Sequence, residues 1–534
     1  MNPIDRMVAA VSPVTGLKRA AARKRIQVMN EGYGNHGASS KKKSLMGWLT
    51  RSASVLEDIE HNVETLRGRS RDLFMGSPIA TGSIKTLRTN VIGAGLRLNA
   101  QIDSDYLNMT LEEADQWETH VEREFSLWAD SVHCDAQRMN NFYELQQLAF
   151  LSWMISGDTF ALLPVMPRPG MPYDIRVQIV EADRICNPNL GSASLDTKIV
   201  NGVEINQVGE IVAYHIAQEH PHSSSMSGNK WMKVEKFGSK TGRPNIIHLM
   251  ESERPEQRRG VPVLAPVMES LKQLSRYADA ELMAAVINGM YSVFVTTENA
   301  GSSSEFGSID QEDLIDEADE SSIELGSGTV HFLGENEKIQ ESNPGRPNPN
   351  FDGFVTSICR QIGAALEIPY EILLKNFTSS YSASRGALLE AWKMFKMRRE
   401  WMANDFCQPI YEEFLAEGIA KGRIHAPGFF TNPMARKAYS GAEWNGPSQG
   451  QLDPLKEVNA AEKRVNNGFT TRAQETVSIG GGDWFRNHRL RKVEEEMRKE
   501  AGFVTEASNG TAAILPAKEE EQKKDEEGKE GDED

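Results

Sequence analysis

The chain has 534 residues, 39% of them hydrophobic, 25% charged and 7% aromatic, and a formal net charge of −17. This length suits roughly two to four domains, and the composition is that of an ordinary soluble protein, which excludes a wholly disordered chain. There is no run of about 18 apolar residues to span a bilayer, and the acidic balance argues against a protein that grips a nucleic-acid backbone through concentrated Lys and Arg.

The charge is unevenly spread. Residues 1–55 carry ten Lys or Arg against two acids, among them Arg23-Lys24-Arg25 and Lys41-Lys42-Lys43, and read as a flexible basic arm. From about Asp58 to Ala129 the pattern is helical. Ile79, Ile84, Leu87 and Val91 recur at helical spacing, Gly93 and Gly95 stop that helix, and Leu111 to Trp117 opens a second amphipathic stretch. Residues 143–156 predict another helix, ended by Ser156-Gly157-Asp158. The runs Phe160–Val165, Ile175–Val180 and Ile211–Ile216 are β-prone, with turn formers between them. Residues 56–258 therefore read as an α/β domain.

Pro266 suits a first helical turn, and Leu271, Leu274, Ala278, Leu282 and Val286 continue the helical period to a stop at Asn288-Gly289. About 22 residues at ~1.5 Å each make a strut of roughly 33 Å. Tyr291–Thr296 and Thr329–Leu333 predict strands around an acidic helical stretch, Asp310–Glu320. No Lys or Arg occurs from 277 to 337, against fourteen Asp or Glu. Such a run repels phosphate; taken alone it is equally a solvated acidic loop.

Phe351–Leu366 predicts a helix with Phe354, Ile358, Ile362 and Ala365 on one face, and Pro369 cannot continue it. Residues 369–384 are polar and favour turns and caps. A helix resumes near Ser384, running past Trp392, Phe395, Met402 and Phe406, and others follow near Tyr411–Ala420 and over about 454–500. Residues 518–534 hold ten acids, four lysines and no apolar residue; the segment from 506 onward reads as a disordered acidic tail.

No motif calls for catalysis. Gly32-Tyr-Gly34-Asn-His-Gly37 spells a dinucleotide fingerprint, but it lies in the basic arm without the strand and helix that mechanism needs. Gly238-Ser-Lys240-Thr241 lacks the glycines of a phosphate loop. His215, His220 and His222 have no carboxylate or thiol at a recognised metal spacing and read as a hairpin-end cluster. The four cysteines, Cys134, Cys186, Cys359 and Cys407, form no Cys-x-x-Cys pair, and the first residues lack a secretory apolar region, so a reducing cytoplasm is the expected compartment. Neither a cofactor nor a metal is expected.

Five stretches in order resemble the lambda-type portal family of tailed bacteriophages. The first is Arg71-Asp-Leu-Phe-Met-Gly-Ser-Pro-Ile79 with Thr89-Asn-Val-Ile-Gly93. The second is Ile179-Val-Glu-Ala-Asp-Arg184 with Asn187-Pro188, then Gly202-Val-Glu204 and Val212-Ala-Tyr-His215. The third is Arg254-Pro-Glu-Gln-Arg-Arg-Gly-Val-Pro262 with Ala278-x-x-Glu-Leu282 downstream. The fourth runs from Ile362-Gly-Ala-Ala-Leu-Glu-Ile-Pro-Tyr370 to Tyr381-Ser-Ala-Ser-Arg385, and the fifth is Trp444-Asn-Gly-Pro447 with Asp453-Pro-Leu-Lys-Glu457.

The resemblance implies an α+β, multi-domain portal fold that forms a ring of about a dozen copies. The expected parts are the arm (1–55), an α/β wing (56–258), a first stem helix (259–290), a small α/β clip (291–340) and a second stem helix (350–367). A tunnel loop (368–384), a long helix (385–404), a mainly helical crown (405–505) and the tail (506–534) follow. It further implies a non-enzymatic channel at one capsid vertex for packaging and ejecting double-stranded DNA, assembled in the host cytoplasm and carried in the virion. The implied partners are the large terminase subunit, head–tail completion proteins and a major capsid or scaffold protein, without any membrane. Lys375, Asn376, Ser379, Ser380 and Tyr381 are the candidate DNA-facing residues, and Asp316, Glu317, Asp319 and Glu320 the candidate docking acids of the clip. The rival reading is another virion structural protein, a head–tail adaptor or capsid subunit.

Overall fold

The computed structural model describes residues 52–188, 198–223, 230–289, 350–377, 380–450, 453–480 and 482–502, with 7–8, 10–29, 43–45, 48, 293–296 and 330–333. The arm expected to be flexible contains a helix, α1 (Pro13–Met29). Three successive alanines, 20 to 22, and the absence of Gly or Pro after Gly16 favour it locally.

Two helices, α2 (Val63–Gly76) and α3 (Pro78–Val91), are separated by Ser77, and Pro78 opens α3 where its missing N–H costs nothing. Ala80, Ile84, Leu87 and Val91 form the buried stripe of α3, with Ile79 turned partly outward. Strand β1 (Arg97–Ala100) leads to α4 (Leu111–Ala129) and then α5 (Phe142–Ser156). Reciprocal capping boxes start both helices, Thr110 with Glu113 and Asn141 with Glu144. Gly157, at φ +89°, ends α5 as a left-handed cap.

The strands are shorter and more numerous than their β-prone runs suggest. β2 (Asp158–Leu162) lies between β3 (Gln178–Val180) and β8 (Ile246–Met250), antiparallel to both. β4 (Lys198–Val200), β5 (Val203–Ile205), β6 (Ile211–Ala217) and β7 (Trp231–Glu235) make an antiparallel four-stranded sheet in that order. All described pairings between 158 and 250 that join named strands are antiparallel, so this segment is α+β and not the α/β expected of it.

Helix α6 (Met268–Gly289) matches the predicted strut. β9 (Val293–Thr296) and β10 (Val330–Leu333) pair in parallel; the acidic stretch between them, including Asp316, Glu317, Asp319 and Glu320, lies outside the described residues. Next come α7 (Phe351–Ala365) and α8 (Tyr381–Met402). A π-helical turn over Ala403–Cys407 joins α8 directly to α9 (Gln408–Ala420). The chain closes with α10 (Pro433–Tyr439), β11 (Ala442–Asn445), α11 (Pro454–Asn466), α12 (Arg472–Gly480) and α13 (Trp484–Glu500).

Packing does not follow the boundary expected at 405. Phe414 on α9 packs edge-on to Phe125 of α4 at 5.2 Å, Phe406 stacks with Phe142 at 6.3 Å, and β11 pairs antiparallel with β1. Residues 403–445 thus complete the core begun by α3, α4 and α5. These rings bury large apolar areas, which local sequence pattern assigns to no particular partner.

Beside this core, Glu118 and Glu122 of α4 accept the Ile102 and Ala100 backbone N–H groups at 2.9 and 3.0 Å. Burial pushes the Glu122 carboxyl up to about 7, and Asp483 adds repulsion. A carboxyl raised on folding favours the folded state at low pH, and that advantage disappears as pH rises from its ordinary value through about 7. Glu122→Gln is therefore expected to gain stability over wild type at pH 8 and little at pH 4.5, read as urea midpoints at the two pH values.

Candidate functional site

Segment 368–384 is anchored more firmly than a polar loop would be. The chain reverses at the end of α7. Glu367 takes φ +58°, and Ile368 N donates back to Gly363 O at 2.8 Å. A Cβ at Gly363 would stand 2.5 Å from the Ile368 carbonyl oxygen, so only glycine allows this approach. Tyr370–Leu373 is a single helical turn that buries Ile372 and Leu373. The apolar period is too short there to predict a helix. Lys375 follows at φ +54°, and Asn376 N donates to Glu371 O at 3.0 Å.

From this base Lys375, Asn376 and Ser380 are exposed. Ser380 caps α8, accepting from Ala383 N at 3.4 Å, so the helix begins at Tyr381 and not at 384 or 385. Ser379 lies outside the described residues, and for Tyr381 the structure describes the backbone only. The fold also brings in residues that composition did not single out. Phe377, 55% exposed, lines a cavity of about 310 Å³ with Lys85 and Thr89 of α3, Trp392 and Phe395 of α8, and Lys375.

Arg399 fastens this region to the core. Its Nε donates to Val91 O at 3.0 Å, and its Nη2 to Asn90 O and Pro447 O at 2.9 Å each. A guanidinium on the last carbonyls of α3 complements the negative end of the helix dipole. Burial lowers its pKa to about 10, so it stays charged at neutral pH.

The second organised region is a buried charge knot at the start of the α6 segment. Asp158 accepts from Arg67 Nη2 at 2.8 Å, from Arg259 Nε at 2.7 Å and from Gly260 N at 3.1 Å. The two arginines also donate to the carbonyls of Ser156, Ala182, Ile185 and Asn201. Burial alone would raise the Asp158 pKa, but Arg259 and then Arg67 hold it far below the usual carboxylate range. Burial lowers that of His248, stacked on Phe160 at 4.2 Å. Arg254 reaches Asp58 at 2.7 Å, and Gln257 ties Glu253 N to Arg259 O. The stretch from Arg254 to Pro262 is therefore a joint linking α2, β2 and the chain entering α6.

His220 and His222 stay together, their ring centroids 5.8 Å apart, while His215 is held elsewhere. His215 meets Glu204 at 2.8 Å inside the sheet, while His222 reaches Glu64 at 2.9 Å. Glu181, Asp183 and His220 come near enough to share one cation. Arg71 already supplies positive charge there, pairing with Asp183 and with Glu181 at 3.2 Å. No described helix is long and apolar enough to cross a membrane.

A family model described as phage portal protein, lambda family, matches residues 41–399. Portal protein B of Escherichia phage lambda is 25% identical over 505 residues, covering 91% of this chain and 93% of that protein. The portal protein of Escherichia phage N15 is 23% identical over 505 residues, covering 91% and 94%. A chain in the virion of the native gene transfer agent particle aligns over 79% of this chain and 94% of its own, at 13% identity and a TM-score of 0.35. The family match spans about two thirds of the sequence and takes in both the Arg254–Pro262 joint and the anchored 368–384 segment: the chain belongs to the lambda family of phage portal proteins.

Proposed function

We propose that this portal protein forms a ring of about a dozen copies at one capsid vertex, lining the channel through which double-stranded DNA is packaged and ejected. The observation that carries this reading is the family membership over residues 41–399. A closed ring needs a heterologous contact between neighbours. Helix α6 supports one, because no side chain described from 275 to 286 is buried, and Leu282 and Met283 are exposed by 66% and 64%. On this reading α6 and α7 are the stem helices, 291–340 the clip and 56–258 the wing, joined by residues 403–445. The crown then begins near 453.

The ring itself performs no chemistry. A large terminase subunit supplies the ATP-driven work and docks on the clip acids Asp316, Glu317, Asp319 and Glu320, and head–tail completion proteins later take that face. The wing side meets the capsid or scaffold protein. Lys375, Asn376, Ser379, Ser380 and Tyr381 face the bore and touch phosphates without reading sequence. The cation-free stretch from 277 to 337 lets DNA slide, since few phosphates are neutralised there.

Electron microscopy of purified protein tests the whole reading: a ring with an axial hole is expected, and a monomer at every concentration overturns it. Lys375→Glu is expected to lower the DNA packaged or retained per head; unchanged packaging and retention would remove Lys375 from the contact set. Charge reversal at the four clip acids is expected to abolish capture of the large terminase subunit, and full capture would move the dock elsewhere.

A further inference from the structure

No side chain of helix α13 is buried: Trp484 is partly covered, and every residue from Phe485 to Glu500 is exposed. Its hold on α4 consists of two contacts. Arg489 Nη2 meets Asp115 Oδ1 at 2.7 Å with both side chains 47% exposed, and Phe485 lies beside Leu111 and Ala114 while remaining half exposed itself. An ion pair so open to water contributes little. The chain reaches α13 through Gly480 and Gly482. Packing does not demand glycine at either position, since a Cβ at 480 meets nothing within 4 Å and one at 482 comes no nearer than 3.6 Å to Asn487 Nδ2. What glycine adds in this turn is backbone freedom.

Between α13, α4 and β1 lies a groove of about 400 Å³. Its acids are Asp115, Glu118 and Glu122 of α4 and Asp483, the residue that caps α13, and Arg489 is the one described cation in its lining. Asn99 and Gln101 on the β1 side carry no charge, and from the core side the buried phenol of Tyr411 on α9 feels both glutamates. Burial and then Asp115 raise the Glu118 pKa; burial, Asp483 and Glu118 raise that of Glu122, and Arg489 opposes them more weakly. Two walls of the groove are fixed. β1 is paired with β11, and α4 sends Val121 and Phe125 into the core. The third wall, α13, has nothing buried to lose.

We infer that α13 is a releasable strap: it swings on Gly480 and Gly482 away from α4 when the groove acids are ionised, and lies back over them when they are neutral. Release lets water reach Glu118 and Glu122 and carries Asp483 away, at the loss of one exposed ion pair. A carboxyl kept neutral by docking favours the docked helix at pH below its ordinary value, and that advantage is lost as pH rises from there through about 7. His488, stacked on Trp484 at 5.0 Å, is the other titratable group at this end of α13 and needs its own control.

Amide hydrogen exchange of the full chain, corrected for the intrinsic effect of pH, tests the strap. A helix that leaves its packing surface loses most of its stability. Amides from 487 to 500 are therefore expected to be at least about tenfold less protected at pH 8 than at pH 5, while those from 115 to 129 in α4 hold steady. Equal protection of α13 at the two pH values overturns the proposal. An equal loss in α4 does so too, because the core itself would then be loosening. Glu122→Gln is expected to keep α13 protected at pH 8, and His488→Gln to leave the pH response intact; release that persists in the first variant, or vanishes in the second, removes the groove acids as the trigger. Arg489→Ala is expected to lower protection at pH 5, and unchanged protection there means that α13 is not held on α4. The wild-type comparison stands without any variant, so a poorly folding one leaves the test intact.

Discussion

Asp158→Asn is expected to destabilise the protein by about 3–5 kcal/mol, the cost of removing one partner from a buried ion pair and leaving the opposite charge unpaired. The substitution keeps the shape of the side chain, so packing against β3 and β8 survives and the loss reports charge. Arg67 and Arg259 would remain buried, still donating to the carbonyls of Ser156, Ala182 and Ile185, with Asp183 at 3.6 Å as the one carboxylate left to Arg67 among the described residues and a neutral amide between the two cations. The urea midpoint should fall at an unchanged slope; a midpoint within error of wild type would mean that the carbonyls and Asp183 suffice to hold both cations. The pH dependence has a definite sign. A carboxylate with depressed pKa stabilises the fold above its unfolded value, and that contribution is lost as pH falls through the folded one. His248, whose pKa is also lowered, adds a loss that begins once pH drops below about 6.5, because the unfolded imidazole takes a proton that the buried one resists. His248→Gln is expected to flatten the stability curve between pH 7 and 5 while leaving the acid limb set by Asp158.

Gly260→Ala is the second substitution with a large expected effect. A Cβ at Gly260 would overlap the carbonyl oxygen of Gly157, and the Gly157 peptide cannot retreat because its φ of +89° closes α5. Backbone meets backbone here, so no rotamer relieves the clash, and the chain entering α6 must shift. A cost of about 1–3 kcal/mol, the usual range for forced overpacking, is expected, together with fewer rings in electron micrographs, since α6 would leave the joint at a changed angle. Gly353 in α7 provides the contrast. Nothing lies within 4 Å of a Cβ placed there, and Gly353→Ala is expected to stabilise the chain by about 0.4–1 kcal/mol through the reduced entropy of the unfolded state. Equal midpoints for the two variants would contradict the packing argument.

Some of this could be read in advance. In α3 the 3.6-residue spacing of Ile84, Leu87 and Val91 marks the face that meets the core, whereas in α6 and α7 the spacing located the helix but not its buried face, since Ala278, Leu282, Val286 and Phe354 are exposed. Helix ends were equally legible, since Gly157 and the proline at 266 act within a few residues of themselves. Strands β4 and β5 were not visible. Each has three residues, too few to show alternation, and their pairing is set by neighbours across the sheet. In the candidate site, the resemblance singled out Lys375, Asn376 and Ser380, which are exposed. Local periodicity missed the helical turn beneath them, because Ile372 and Leu373 are helical through burial against α3 and not through their own period.

From residues alone came the helical struts, the placement of the charge and, through five ordered motifs, the portal family. These rest on local periodicity, on capping and on side-chain identity, which act over a few residues. The tertiary fold alone decided that β1 pairs with β11, that residues 403–445 complete the first core, and that Asp158 gathers Arg67, Arg259 and Gly260. Those partners lie tens to hundreds of residues apart. An aspartate in a strand carries no local mark of the arginine that neutralises it; only the packing that excludes water from both makes their pairing obligatory.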